Sequence, residues 1–444
     1  MPQPGKLLLK GARAVCPFSG LRGKALDILV SGDRIVRVTE GIDGGDALVL
    51  DLHGLYVSPG WLDMHVHLRE PGREDEETVA SGRLAALAGG FTAICCMPNT
   101  DPPLDCAALA EDIAAKASAG TGADVFCIGA VTVGRKGSRL VEMDEMRSSS
   151  GRVVAFSDDG SCVREAGVMR RALEYVKLFD GLIIDHCEDV SLSANGQVRE
   201  GPCSFRLGLR GYPPQAEEVM VARDLLLAEL TGSRLHLAHL SSARSVEMLR
   251  EAKERGVRVT AEVTPHHLFF THEDVDGLDA SFKVNPPLGS SEDREALRRA
   301  LAEGVIDAVA SDHAPHSREE KELEFERAPF GMIGLESTFS ACCTSLLQEG
   351  IMDVYALVER LTSGPSRALG LEPPLYGEGI REGARADLVV FDPETERLVN
   401  AESFLSLSRN CPFHGMRMRG KVELTVKGGI PFYPPGSRFG GRQS

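Results

Sequence analysis

The run Trp61-Leu-Asp-Met-His65-Val-His67-Leu68 decides the fold: it is short, apolar apart from Asp63, and ends in two histidines spaced two residues apart. Strand periodicity places His65 and His67 on one face. Working outward, seven further short apolar runs follow, at 91–97, 124–131, 153–159, 182–187, 234–240, 257–263 and 306–312, separated by longer stretches with helical spacing. Helices are expected between them. One is Glu74 to Ala88, with acidic residues in the first turn where the helix dipole favours them, and another is Gln215 to Leu230, with apolar positions at Val219, Leu226 and Leu230. Eight strands alternating with helices predict an α/β fold, a (β/α)8 TIM-like barrel over residues 58–371.

Both ends of the chain have a different texture. Leu7 to Leu9, Leu26 to Ser31, Arg34 to Val38 and Ala47 to Asp51 read as short strands, and β texture returns at Ala386 to Phe391, ending in Asp392-Pro393, and at Val422 to Lys427. Residues 1–57 and 372–444 are therefore expected to fold together as a small β-sandwich domain beside the barrel.

Composition removes several function classes. The chain has 444 residues, with 49 Lys+Arg against 65 Asp+Glu, a net charge of −16 that repels nucleic-acid phosphates and anionic lipid. No nucleic acid or membrane partner is expected. The most apolar stretch, Leu84 to Met97, is too short to cross a bilayer and is broken by Gly89-Gly90. The opening Met1-Pro-Gln-Pro-Gly-Lys6 lacks the apolar core of a signal peptide, so a cytoplasmic location is expected. Eleven cysteines, an odd count without a Cys-x-x-Cys pair, argue against a disulfide framework and for small buried apolar roles.

The chemistry gathers at strand ends. His186 closes the fifth run, His239 the sixth and Asp312 the eighth, so with His65 and His67 a set of nitrogen and oxygen donors meets at the C-terminal rim, where barrel enzymes build their sites. Such a set suits zinc, with manganese or cobalt as substitutes. Asp158 and Asp159 close the fourth run; alternation with Ala155 and Ser157 selects Asp159 as the inward ligand and leaves Asp158 as a turn or capping carboxylate. His236 falls on the opposite face of its strand from His239 and is assigned to packing, while His53, His272 and His414 stand alone. Arg69, Asn99, Asn285 and His316 occupy loops after strands. Of these, Arg69 and Asn99 are expected to face the rim, offering a guanidinium fork and a neutral donor, and His316, four residues beyond Asp312, can reach a substrate. The charged run Arg318 to Arg327 reads as a solvated helix or loop, placed where a lid would sit.

Ser58-Pro-Gly-Trp-Leu-Asp-Met-His-Val-His-Leu-Arg-Glu-Pro-Gly72, Met97-Pro-Asn-Thr100, Ala155-Phe-Ser-Asp-Asp-Gly160, Asp185-His-Cys-Glu188, Thr264-Pro-His-His267, Lys283-Val-Asn-Pro-Pro287, and Asp312-His-Ala-Pro-His316 through Phe330-Gly331 follow one another over nearly the whole chain. In these motifs the sequence resembles the class I dihydroorotases of the metal-dependent amidohydrolase superfamily. The resemblance implies two zinc ions per subunit, one held by His65, His67 and Asp312, the other by His186 and His239, with Asp159 shared. It implies substrate contacts from Arg69, Asn99, Asn285 and His316, backbone contacts near Phe330 and Gly331, and Asp312 as general base and then general acid. The implied reaction is the reversible cyclisation of N-carbamoyl-L-aspartate to L-dihydroorotate in pyrimidine biosynthesis, with metal-bound hydroxide attacking the ring amide in the hydrolytic direction. A homo-oligomer and an aspartate transcarbamoylase partner are further expectations. Hydantoinases, allantoinases and dihydropyrimidinases are the alternatives, but hydantoinases and allantoinases usually offer a carboxylated lysine where Asp159 stands. A catalytically silent scaffold for the transcarbamoylase would be expected to have lost ligands, and none of the six is missing.

Overall fold

Runs buried on both faces give parallel strands, and Trp61–Val66 is buried at every residue. The computed structural model describes residues 5–440, so Met1 to Pro4 of the opening stretch and the last four residues of the 372–444 range lie outside the described residues. Five strands precede the barrel: β1 (Lys6–Cys16), β2 (Leu21–Ser31), β3 (Arg34–Thr39), β4 (Leu48–Asp51) and β5 (Tyr56–Pro59). The barrel starts with β6 (Trp61–Val66), β7 (Phe91–Cys96), β8 (Asp124–Gly129), β9 (Val153–Phe156) and β10 (Leu182–Asp185). After a small ribbon of β11 (Val198–Arg199) and β12 (Gly211–Tyr212), it continues with β13 (Arg234–Leu237), β14 (Val259–Val263) and β15 (Ala308–Val309). The barrel strands are hydrogen-bonded in sequence order from β6 to β15. A parallel bridge from Val66 to His313 and a bond from His67 N–H to the His313 carbonyl (2.9 Å) close the seam. The barrel interior is filled by Leu62, Met64, Phe126, Ile128 and Ile184 among others, while Leu235 and Leu237 pack outward toward helices.

The strands β16 (Leu388–Leu398), β17 (Arg417–Lys427) and β18 (Ile430–Phe432) join β1 to β5 in a second sheet of eight strands. Its sandwich character comes from β1, which pairs with β4 along Leu7 to Lys10 and, beyond a register shift, with β5 at Arg13 and Ala14. A shared core that includes Leu9, Ile28, Leu50, Leu388 and Leu424 fills the fold.

Several expectations are corrected. Strand β5 crosses the expected 57/58 boundary, with Ser58 and Pro59 paired to Val389 and Leu388. Strand β16 does not stop at Asp392-Pro393 but passes through it with an irregular register between Asp392 and Glu396, the kind of break a proline in a strand requires. The helix expected from Glu74 starts at Val79, capped by the Thr78 side chain, and has no acidic residue in its first turn. Glu76 and Glu77 are instead buried in the preceding loop, where Arg69, Arg73 and His316 pair with Glu76 and His313 pairs with Glu77. In Gln215–Thr231 the core face is Met220, Val221, Leu225 and Ala228, and Val219, Leu226 and Leu230 are exposed. Ten of the eleven cysteines are buried, Cys106 is exposed, and all are free thiols.

Candidate active site

Each donor enters the rim from a strand end. His65 lies within β6, and His67, Asp159, His186, His239 and Asp312 follow their strands by one to three residues. The backbone that carries Arg69, His239 and Asp312 is left-handed, with φ of 61°, 32° and 48°. At His239 that strained geometry turns inward a side chain which plain alternation, with Leu235 and Leu237 outward, would send outward. His236 and His239 show the consequence. Both reach the barrel interior, because the left-handed turn at His239 reverses the alternation that had assigned His236 to packing.

Asp159 stands at the centre of the cluster. Its Oδ1 lies 3.5 Å from His65 Nε2, 3.7 Å from His186 Nδ1 and 3.7 Å from His239 Nε2, and its Oδ2 lies 3.7 Å from His67 Nε2. Asp312 Oδ1 is 3.0 Å from His67 Nε2 and 3.4 Å from His65 Nε2. Two donors on one tetrahedral ion, each about 2.1 Å from it, stand roughly 3.4 Å apart. In two groups, His65-His67-Asp159 and Asp159-His186-His239, the donor atoms lie within 4.8 Å of one another, and Asp159 is common to both. His65 Nε2 and Asp159 Oδ1 are buried without a hydrogen-bond partner, a state that is costly unless a cation completes it. The donor set fits a metal centre. Asp158 faces away, accepting from the N–H groups of Val131 (2.9 Å) and Thr132 (3.0 Å) and from the Thr132 hydroxyl.

The electrostatics match. Burial works against charged imidazole at His65 and His186, yet Glu262, Asp159 and Asp312 around the first, and Glu188 and Asp159 around the second, raise both pKa values. Burial would likewise raise the pKa values of Asp159 and Asp312, and the surrounding histidines hold both below the usual carboxylate range. The rim thus attracts positive charge.

Three imidazoles are oriented from behind. Glu262 accepts from His65 Nδ1 (2.6 Å), Asn99 Oδ1 accepts from His67 Nδ1 (2.7 Å) and Glu188 accepts from His186 Nε2 (3.1 Å), leaving the opposite nitrogen of each ring toward Asp159. Glu262 also accepts from His236 Nε2 (3.2 Å), whose Nδ1 is 2.7 Å from the Thr260 hydroxyl. Sequence reading missed Glu262 and Glu188. The signal for Glu262 was a carboxylate one residue from the end of the seventh strand run; Glu188 stood inside a quoted motif without a role.

The remaining predicted residues surround a cavity of about 220 Å³ above the donors. Arg69 donates from Nε to the Pro315 carbonyl (3.0 Å) and pairs with Glu76 (3.1 Å), and its Nη2 is 3.3 Å from His316 Nε2. Among the described residues nothing accepts from its Nη1. Asn285 donates from Nδ2 to Glu188 (2.9 Å), leaving Oδ1 buried and unpaired. His316 Nε2 lies 2.8 Å from the Phe330 carbonyl, and burial together with the charges of Arg69 and Lys321 lowers its pKa to about 3. Gly331 has φ 132°, and a Cβ there would stand 2.8 Å from the Ala314 Cβ and 3.1 Å from His316 Nε2, so the close approach needs glycine. Only Arg318–Lys321 of the charged run is helical. The loop is tied down: Lys321 donates to the Pro329 carbonyl (2.8 Å), and Lys283 donates to those of Phe325 (2.7 Å) and Ala328 (2.6 Å).

Histidine and aspartate donors at the C-terminal rim of a (β/α)8 barrel, with an orphaned carboxylate oxygen between them, define a metal-dependent hydrolase of the cyclic amidohydrolase type. The comparisons narrow the class. The family described as Dihydro-orotase-like matches residues 54–245. The dihydroorotase of Caldanaerobacter subterraneus subsp. tengcongensis is 44% identical, covering 98% of this chain and 99% of the relative, and that of Pelotomaculum thermopropionicum is 47% identical, covering 96% and 97%. Among solved structures, the L-hydantoinase (dihydropyrimidinase) of Arthrobacter aurescens superposes with a TM-score of 0.84 at 25% identity, covering 96% of each chain. A dihydropyrimidinase of Brevibacillus agri NCHU1002 superposes with a TM-score of 0.82 at 23% identity, covering 97% of this chain and 96% of the other, a likeness of fold. The chain belongs to the dihydroorotase family.

Proposed function

We propose that this chain interconverts N-carbamoyl-L-aspartate and L-dihydroorotate at the C-terminal rim, with His65, His67, Asp159, His186, His239 and Asp312 holding two zinc ions. The observation that carries the reading is the juxtaposition, around one cavity, of a buried His/Asp cluster with orphaned donor atoms and a wall that includes His316 and in which Arg69, Asn99 and Asn285 keep hydrogen-bonding capacity. Bound cations supply ionised water near neutral pH and polarise the ring carbonyl under attack. Asp312, kept ionised by His65 and His67, takes a proton in hydrolysis and returns it to the departing ring nitrogen. Arg69 pairs with the ring carboxylate. Neutral His316 and the amides of Asn99 and Asn285 add hydrogen bonds, and the backbone at Phe330 and Gly331 closes the wall.

Ring closure turns a dianion into a monoanion and takes up one proton, so each pH unit moves the equilibrium about tenfold, with acid favouring the ring. The nitrogen and oxygen donor set supports zinc. Free cysteines throughout support a cytoplasmic location, and among the described residues no helix is long and apolar enough to cross a membrane. The exposed Val219, Leu226 and Leu230 on one helix support self-association. Aspartate transcarbamoylase fits as a partner because its product is the open-chain substrate. Division of the chain into a barrel and an end-to-end β domain is part of the same reading, supported by two separate sheets with their own cores.

The test is hydrolysis of dihydroorotate by metal-replete protein, followed as loss of ring absorbance, beside dihydrouracil, hydantoin and allantoin. Dihydroorotate should be preferred by on the order of 10⁴-fold over dihydrouracil, since a ligand lacking the carboxylate leaves the largely buried Arg69 without an acceptor for its Nη1. Equal rates would make a general cyclic amidohydrolase the better reading.

A further inference from the structure

A second cavity, of about 820 Å³, opens at the other end of the barrel. Val153, Gly181 and Arg234 line it where β9, β10 and β13 begin. The same strands lead to Asp159, His186 and His239, five or six residues on, so roughly 16–20 Å of extended chain separates this cavity from the donor cluster. In a chain of net charge −16 its walls carry four guanidinium groups, from Arg147, Arg152, Arg234 and Arg367, against the carboxylates of Asp180 and Glu372.

Half of these six charges are already committed, and the Glu372 carboxylate pairs with no cation among the described residues. Asp180 pairs with Arg258 (2.8 Å), Arg367 with Glu359 (3.3 Å), and Arg147 stands 3.9 Å from Asp144. Arg152 and Arg234 are different: among the described residues neither has a carboxylate within ion-pair distance. Arg234 donates to the carbonyls of Asp180 (3.0 Å) and Ala368 (2.7 Å). The Arg152 guanidinium makes no side-chain hydrogen bond. Its Cζ lies over the Phe126 ring, 4.3 Å from the centroid, and its backbone is left-handed at φ 55°. A stacked guanidinium keeps its N–H edge free for an anion. A bulky residue held at positive φ also marks a position whose conformation the surroundings enforce. Phe156 and Phe179 add flat apolar wall, and the Arg147 guanidinium sits 5.0 Å from the Phe179 ring.

We propose that this cavity binds a small organic phosphate whose phosphoryl group is attached to a flat ring, with Arg152 and Arg234 taking the phosphoryl oxygens and the phenylalanines the ring. Guanidinium forks match phosphate geometry, and the apolar wall gives the ring a place that free phosphate cannot use.

The probes are phenyl phosphate and inorganic phosphate, titrated calorimetrically into the metal-loaded full-length protein. Phenyl phosphate should bind one per chain, at least about tenfold tighter than inorganic phosphate. Arg152→Gln, a change at a side chain that supports nothing but the Phe126 face, should weaken it by a further tenfold or so, and Arg152→Lys should restore part of the loss. Circular dichroism melting verifies that each variant is folded. Because the metal centre also attracts anions, Arg69→Met is the control, and it should leave phenyl phosphate binding unchanged. No saturable binding up to about 10 mM, unchanged affinity in Arg152→Gln, or loss in Arg69→Met instead would each overturn the proposal.

Discussion

The two ends of the barrel are made from the same strands and carry opposite chemistry. At the C-terminal rim, imidazoles and carboxylates crowd together with donor atoms left unpaired, and at the N-terminal mouth guanidinium groups stand beside aromatic rings. One end attracts cations and the other anions. The strand interiors between them, such as Ile128 and Ile184, are ordinary apolar core. Function therefore resides in the few residues before and after each strand, and at His239 a left-handed backbone frees the side chain from strict alternation.

Variants that break the rim should have the largest effects. Asp312→Asn should lower kcat/KM for hydrolysis by roughly 10³- to 10⁴-fold, and for cyclisation by the same factor since the equilibrium is unchanged; near wild-type activity in the variant would remove Asp312 from proton transfer. Arg69→Met should lower kcat/KM for dihydroorotate by about 10²- to 10³-fold with metal content unchanged, and should narrow the gap to dihydrouracil. Mass-spectrometric metal analysis beside the kinetics checks it. Glu262→Gln sharpens the contrast one layer deeper. Glutamine has a single acceptor oxygen for two imidazoles, so metal affinity should fall by about 10- to 100-fold in chelator competition, with activity recovering at excess metal.

The smallest effect is expected away from both ends. Glu336 accepts from the N–H groups of Leu405 (2.7 Å) and Ser406 (3.1 Å), and burial pushes its pKa up to about 8. The folded carboxyl keeps its proton where the unfolded one has lost it, so its contribution to stability falls as pH rises from about 4.5 to about 8. Glu336→Gln keeps the acceptor oxygen without the titration. Its Tm should exceed that of wild type by about 2 °C at pH 8, and the difference should vanish toward pH 5.

Much of this was legible in the sequence because parallel strands buried on both faces read as apolar runs. Each of the eight runs contains a barrel strand, although most observed strands are shorter than their runs. The excess is the functional part: Asp159, His186, His239 and Asp312 belong to the loops that follow. Alternation identified Asp159 over Asp158 but failed at His236, since a left-handed turn is invisible to a period-two pattern. Glu262 was missed because a lone carboxylate in a strand gives no sign of the two imidazoles that reach it from β6 and β13. The exposed stripe on Gln215–Thr231 misled for a simpler reason: apolar residues lie on both faces of that helix, and spacing alone does not say which face is inside.

The central claim, that the rim is a two-cation site bridged by Asp159, is tested most directly by counting metal in purified protein after dialysis, in wild type, Asp159→Ala and Asp158→Ala. The account predicts about two ions per chain in wild type, loss of most of them in Asp159→Ala where the shared anion is gone, and near wild-type content in Asp158→Ala. Retention of both ions in Asp159→Ala, with loss in Asp158→Ala, would contradict it.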